Sequence, residues 1–391
     1  MYADKTNITS KENKQQRNRR WFASFLLIFM SFQYVLLEGD LISWPKIIIM
    51  ATSPLALAAL NCTRFTSGMF LGITYFLSIC LTSFLHPYEV SYRSIYYTIP
   101  FVLVFGSYHT LLSYNVFSRE NFERILLSVM YAYIICLLLQ QACYFIGIHK
   151  ILLFNRWKPL GFKFQSLGLE PSYAARIFFP YAFGYLEMLR LRYGKQLTAK
   201  LLWQKYRIPT IGILYFYITL GSGYGWGCLI LLAAYWGWMY NKLLSILIFV
   251  IMIYIPADQI EARDRMIATA NATMTLDMDN VIKADQSASF RISVFFAFVQ
   301  NFMPLSSIFW FGQGHYQWIQ PNVGIIQIYG FLAWIFQIIL LRVCAFRRFL
   351  SFEFLYFIVF MGMCIGNVVN LWAMLMVFAT LKYFYISSEK I

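Results

Sequence analysis

The chain has 391 residues, 60% hydrophobic, 20% aromatic and only 13% charged, with a net charge of +15 and a mean hydropathy of +0.59. Soluble domains carry about 25% charged residues, so the composition excludes an ordinary soluble protein and implies a polytopic membrane protein. Positive charge that would suggest nucleic acid in a soluble chain is assigned here to inner-face loops and lipid headgroups, and no nucleic-acid partner is expected.

The basic start KENKQQRNRR, 11–20, runs into an apolar segment without a small-residue cleavage site. This predicts a retained first span, not a cleaved signal peptide. A helix needs roughly 20 apolar residues to cross a bilayer. Such runs occur at 21–38, 44–60, 66–85, 94–113, 124–148, 173–190, 208–221, 224–240, 242–256, 323–341, 350–365 and 368–382. The fold class expected is therefore an all-α polytopic membrane protein, one integral domain over 1–391, with about 12 transmembrane helices.

Lysine and arginine fix the parity. With the basic N-terminus (1–20) inside, the inner pieces hold Lys5, Lys11, Lys14, Arg17, Arg19 and Arg20, then Arg119 and Arg124. They go on to hold Arg190, Arg192, Lys195, Lys200, Lys205 and Arg207, and finally Arg342, Arg347 and Arg348. Both termini are then cytoplasmic. Counting the apolar run 291–312 as a span would turn LRVCAFRR outward, and Gln300, Asn301 and Pro304 interrupt its middle. It is read as an interfacial or re-entrant helix within one long outer loop, 257–322.

Cysteines 62, 80, 136, 143, 228, 344 and 364 show no CxxC or metal-ligand spacing, so neither disulfides nor zinc is implied. They read as buried small hydrophobes.

Two outer loops depart from the charge rule. The first, 149–172, carries Lys150, Arg156, Lys158 and Lys163 against one acid, Glu170, with Arg176 just inside the next helix. An anionic ligand at the outer face accounts for this concentration; contact with anionic headgroups is the other explanation. Pro171 suits the first position of a helix, which makes Glu170 the N-cap. A helix N-terminus presents free N–H groups and about half a positive charge to a phosphate. Arg176 lies between one and two turns further in, where a lipid-facing charge would be costly, so it is expected to face the interior or a wet cavity.

The second loop is polar and mixed in sign. Its DMDN run, 277–280, lacks the glycine and terminal glutamate of a calcium loop, and no metal is expected. Arg291 opens the apolar segment, placed either to point a bidentate fork at phosphate or to snorkel to the interface. His315, the one histidine of this loop, follows Gly312 and Gly314 and is a candidate general base. Tyr316 and Trp318 suit either sugar stacking or interfacial anchoring. His86, His109 and His149 read as structural.

LGLEPSYAA, 167–175, resembles the Gly-x-Glu-Pro-Ser/Asn-Tyr signature of bacterial O-antigen polymerases and the related O-antigen ligases. The distal SASFRI…FGQG…PN…YGFLAWIF resembles that superfamily's second large periplasmic loop, and LYFYITLGSGYGWGCLILL, 214–232, its Thr-x-Ser-Arg span pair. The resemblance implies a GT-C-like glycosyltransferase in the bacterial inner membrane, with two large periplasmic loops. It would join undecaprenyl-diphosphate-linked glycan donor and acceptor without metal or other cofactor, alongside a chain-length-regulating partner protein.

By that resemblance Arg176 and Arg291 hold the donor diphosphate together with Arg156, Lys158 and Lys163; the candidate catalytic residues are then Glu170, Arg176, Arg291 and His315, and Tyr173 and Asn322 join the basic residues as candidate substrate contacts. Pro321-Asn322 stands where the ligases carry His-Asn, which favours polymerase over ligase, with Glu170 and His315 as rival bases. Gly221-Ser222-Gly223 replaces the Thr-x-Ser-Arg arginine. The alternatives are the ligase that moves glycan to lipid A core and a lipid-linked oligosaccharide flippase. Charges that cluster at the outer face and the lack of an internal repeat disfavour the flippase.

Overall fold

The computed structural model describes residues 3–35, 44–85, 92–148, 164–168, 170–240, 261–274, 278–284, 303–312, 325–361 and 369–388, with isolated positions between 243 and 250. Among the described residues there are helices and no strands. In chain order these are α1 (Ala3–Ser31), α2 (Trp44–Ala59), α3 (Ser67–Leu85), α4 (Tyr92–Leu112), α5 (Arg119–Phe145), α6 (Pro171–Tyr193), α7 (Ala199–Lys205), α8 (Arg207–Thr219) and α9 (Gly223–Tyr240). There follow α10 (Glu261–Met274), α11 (Met278–Ala284), α12 (Ser307–Phe311), α13 (Ile325–Cys344), α14 (Phe352–Tyr356), a π-helical turn Phe357–Met361 and α15 (Val369–Ser388).

Three of these helices, α3, α5 and α15, are long and apolar enough to cross a membrane, and shorter apolar helices cover Trp44–Ala59, Thr98–Leu112 and Ile328–Cys344. Helix α1 begins well before the apolar run that starts at Trp21, so the basic N-terminal stretch is helical too. Within the expected outer loop 257–322, α10, α11 and α12 form, and α10 packs on α9. Most of the expected interfacial segment 291–312 lies outside the described residues.

Packing follows from the distribution of apolar side chains. In α1, Ala23, Leu26, Leu27 and Met30 repeat at helical spacing and are fully buried, while Trp21, Phe25 and Ile28 face outward. Helices α6 and α15 are buried nearly all round, α6 from Ala174 to Leu189 and α15 from Val369 to Leu381. They pack on each other at the centre, with α5 and α9 against α6 and α4 against α15. The outer helices leave Phe70, Leu77, Phe84, Ile135, Leu138 and Leu139 exposed, an apolar exterior suited to lipid.

Among the described residues, basic side chains gather at one end of the bundle. There Arg19 of α1 donates to the carbonyls of Leu60 and Asn61, and Gln16 to those of Tyr114 and Asn115. These bonds cap the carbonyl ends of α2 and α4. Arg192 pairs with Glu123 at 2.5 Å, and Lys382 donates to the carbonyls of Arg342 and Val343 at 2.8 Å. This basic end thus collects the starts of α1 and α5 and the last turns of α6, α13 and α15. His109 packs there as a structural residue, its Nδ1 3.0 Å from the Thr66 hydroxyl and its ring in the space that a side chain on Gly68 would fill. Of the described cysteines, all six are free, with Cys62, Cys136, Cys228 and Cys344 buried.

Candidate functional site

The opposite end is organised around the start of α6. Proline at the first helical position lacks an N–H that the helix would leave unbonded in any case. Glu170 occupies the N-cap position in extended conformation (φ −144°, ψ 162°). Its carbonyl accepts the amides of Tyr173 and Ala174 at 3.0 Å, and its side chain makes no capping bond. The glutamate-proline pair therefore starts the helix through backbone geometry, with the carboxylate directed to other contacts.

The turn before it is tied down from α5. Gln140 donates to the Ser166 carbonyl at 3.0 Å and accepts the Ser166 amide at 2.7 Å, while the Ser166 hydroxyl donates to the Tyr133 carbonyl at 2.6 Å. Ser166 has φ +50°, a strained value for a side chain other than glycine or asparagine. These three bonds hold it there. A Cβ at Gly168 would lie 2.6 Å from the Ala174 amide nitrogen, so only glycine lets this turn press against the first turn of α6.

Arg176 is buried, with 6% of its surface exposed. Its guanidinium carbon lies 4.5 Å from the ring centre of Tyr224 and 5.4 Å from that of Tyr173, within cation–π range of both. Tyr173 meets Tyr34 of the α1 end edge to face, at 5.3 Å. Tyr224 arrives because Gly221, at φ +70°, ends the α8 segment and α9 starts at Gly223. The arrangement is a cation held near aromatic faces inside protein, within the first two turns of a helix. Such a group can hold an anion and stabilise a developing negative charge.

The structure thus brings together Glu170, Tyr173 and Arg176. Arg156, Lys158, Lys163, Arg291, His315 and Asn322 lie outside the described residues. Tyr224, Tyr34 and Tyr356, whose hydroxyl donates to the Arg176 carbonyl, escaped the sequence reading. The GSGYG break was the available signal for Tyr224, but nothing in it pointed to α6.

Described segments flanking 313–324 join the same end of the bundle. Gly312 (φ +78°) and Gly330 (φ +84°, ψ 169°) meet backbone to backbone, and a Cβ on either would lie 2.2 Å from a carbonyl oxygen of the other strand of chain. Gly330 breaks α13, and the Thr82 hydroxyl of α3 lies 2.8 Å from the Phe311 carbonyl and 3.0 Å from that of Tyr329. One side chain thereby fixes both edges of the FGQG…YG motif.

No family model matches the chain, and neither does a curated protein or a solved structure.

Proposed function

We propose that this chain is a membrane-embedded glycosyltransferase that polymerises undecaprenyl-diphosphate-linked repeat units into O-antigen or a similar surface polysaccharide. The single observation that carries the reading is Arg176, a buried guanidinium within cation–π range of two tyrosine rings, in the helix started by a glutamate-proline pair that resembles the signature of O-antigen polymerases. In this proposal the site end of the bundle is periplasmic and the basic end cytoplasmic, in a twelve-span, GT-C-like arrangement within a bacterial inner membrane.

The chemistry follows from the residue types. The acceptor hydroxyl oxygen bonds to the anomeric carbon of the donor as the bond from that carbon to the diphosphate oxygen breaks. The electron pair leaves with the carrier diphosphate, and the hydroxyl proton passes to a carboxylate or imidazole. Arg176, with Arg291 and the basic residues Arg156, Lys158 and Lys163, neutralises the leaving diphosphate, the role a divalent cation fills elsewhere. Glu170 takes the proton, with His315 as its rival, and Tyr173 and Asn322 contact the glycan. An interior arginine beside aromatic rings suits a charge that appears during the reaction better than it suits mere headgroup contact.

The test is a glycan gel from a deletion strain complemented with wild type or Glu170→Gln. Long ladders with wild type and single repeats with the variant support a polymerase that needs this carboxylate. Ladders from both transfer the base role to His315. Lipid-linked polymer in the uncomplemented deletion strain overturns the polymerase reading.

A further inference from the structure

The basic end contains a cavity that the proposed reaction does not use. It has a volume of about 1330 Å³ and lies between the last turns of α6, α9 and α15 and the connection from α13 to α14. Among the described residues its charged lining is Arg190, Arg347, Arg348 and Lys382. Two acids lie beneath. Glu187, wholly buried in α6, accepts from Arg190 at 3.1 Å and has Arg347 at 3.6 Å. Glu353, also buried, accepts from the Arg347 Nε at 2.7 Å. These two carboxylates match two of the four cations, so the lining keeps an excess of two positive charges.

Those charges differ in availability. Lys382 is occupied with the carbonyl end of α13, where it offsets the negative pole of that helix. Arg348 is exposed. Arg190 makes both of its contacts, to Glu187 and to the Tyr235 hydroxyl, through Nη1, and 43% of its side chain is exposed. The lining beside these cations includes the aromatic Tyr235, Phe352 and Tyr385, together with Ser351 and Ser388. At the rim Trp238, Leu350 and Ile386 are lining residues that also stand exposed. Two exposed cations beside apolar surface that reaches the bundle's exterior form the pattern of a lipid site, where the headgroup meets the charge while its chains remain outside. The volume exceeds the roughly 300–1,000 Å³ of an ordinary small-molecule pocket, which leaves room for a headgroup and the upper part of two chains.

We propose that this cavity is a specific site for one anionic phospholipid, with the phosphate held by Arg348 and Arg190 and the acyl chains along Trp238, Leu350 and Ile386. It is independent of the reaction assigned to the other end. A bound lipid of this kind would link the ends of α6, α9 and α15, and so brace the helix that carries Glu170 and Arg176.

The test uses the full chain purified in detergent, with native mass spectrometry to count retained lipids during titration with phosphatidylglycerol or phosphatidylcholine. The expected result is one saturable phosphatidylglycerol per chain, bound at least about tenfold more tightly than phosphatidylcholine. Arg348→Glu, at an exposed position that leaves the buried pairs intact, should weaken phosphatidylglycerol about tenfold or more. Lys200→Glu, which reverses an exposed cation outside the cavity, should leave it unchanged. Equal weakening by both variants means diffuse surface attraction and overturns the proposal, as does equal affinity for the two lipids. Inorganic phosphate that displaces phosphatidylglycerol at millimolar concentration assigns the cavity to a soluble anion and overturns the lipid.

Discussion

The Tyr356 hydroxyl donates to the Arg176 carbonyl at 2.7 Å in the buried centre of the bundle. In an unbroken helix that carbonyl would accept the amide four residues on, but the residue there is Pro180, which has none. Tyr356 thus replaces the missing donor, with its ring stacked on Phe179 at 3.9 Å and 4°, immediately before the π-helical turn Phe357–Met361. The same device recurs in α2, where the Ser53 hydroxyl donates at 2.7 Å to the Met50 carbonyl that Pro54 leaves without a partner. Because the bond ends on the backbone of Arg176, it also fixes the turn from which the guanidinium projects.

This relationship predicts a coupled pair. Tyr356→Phe should destabilise the protein by about 1 kcal/mol, the usual scale for a hydrogen bond between helices in a membrane. In the Pro180→Ala background, where a backbone amide is restored, the same change should cost close to nothing. A double-mutant cycle on thermal unfolding in detergent measures the coupling, and equal costs in both backgrounds would show that the hydroxyl does not stand in for the amide.

Arg176 itself should tolerate little. Arg176→Ala should abolish polymer while the protein stays inserted and abundant, and Arg176→Lys should recover only part, since lysine lacks the planar fork. Tyr224→Leu removes the ring face 4.5 Å away and should lower polymer yield about tenfold, within the range of a desolvated cation–π contact. Tyr224→Phe keeps the face and should stay near wild type. Immunoblots beside glycan gels separate loss of activity from loss of protein, and full ladders from Arg176→Ala would end its assignment to the diphosphate.

Much of the fold was legible because apolar length and proline placement act locally. The Glu170-Pro171 pair predicted the start of α6 to the residue, and the gap between the apolar runs 208–221 and 224–240 predicted the break between α8 and α9. Burial of Arg176 was legible too, since lipid penalises a charge at that depth. The partners of Arg176 were not. Tyr224 and Tyr356 lie 48 and 180 residues along the chain, and tyrosine is too common here, at 28 residues, for any one to signal a contact. Glu187 was missed differently: a lone acid in an apolar helix, three residues before Arg190, was a readable sign of a buried pair.

The two glycines with φ near +85° offer a contrast between conformation and space. Gly147, at φ +85°, has nothing within 4 Å of an added Cβ, whereas at Gly330 the added atom would lie 2.2 Å from the Trp310 carbonyl oxygen. Gly147→Ala should therefore cost only the left-handed backbone term, about 1 kcal/mol. Gly330→Ala should separate α12 from α13 and prevent the protein from accumulating. Thr82→Val, which keeps the shape and removes the donor to Phe311 and Tyr329, should fall between them. Membrane-fraction yield and thermal unfolding rank the three, and a Gly330→Ala protein as stable as Gly147→Ala would show that the backbone contact is dispensable.

At the basic end Arg347 is held by two buried carboxylates, Glu187 at 3.6 Å and Glu353 at 2.7 Å, with its guanidinium 3.9 Å from the Tyr385 ring centre. Burial opposes its charge, but the two acids more than offset this and raise its pKa above the ordinary arginine value. Removing Arg347 leaves buried Glu353 without its partner and buried Glu187 with Arg190 alone, which costs more than the cluster contributes as a whole. Arg347→Met should thus destabilise by about 3 kcal/mol or more. Adding Glu187→Gln and Glu353→Gln should return most of that stability, because no unpaired buried charge is left at the centre. Thermal unfolding of the single and triple variants decides it: a triple variant as weak as Arg347→Met would mean that the loss comes from the arginine's packing on Tyr385 and not from stranded charge.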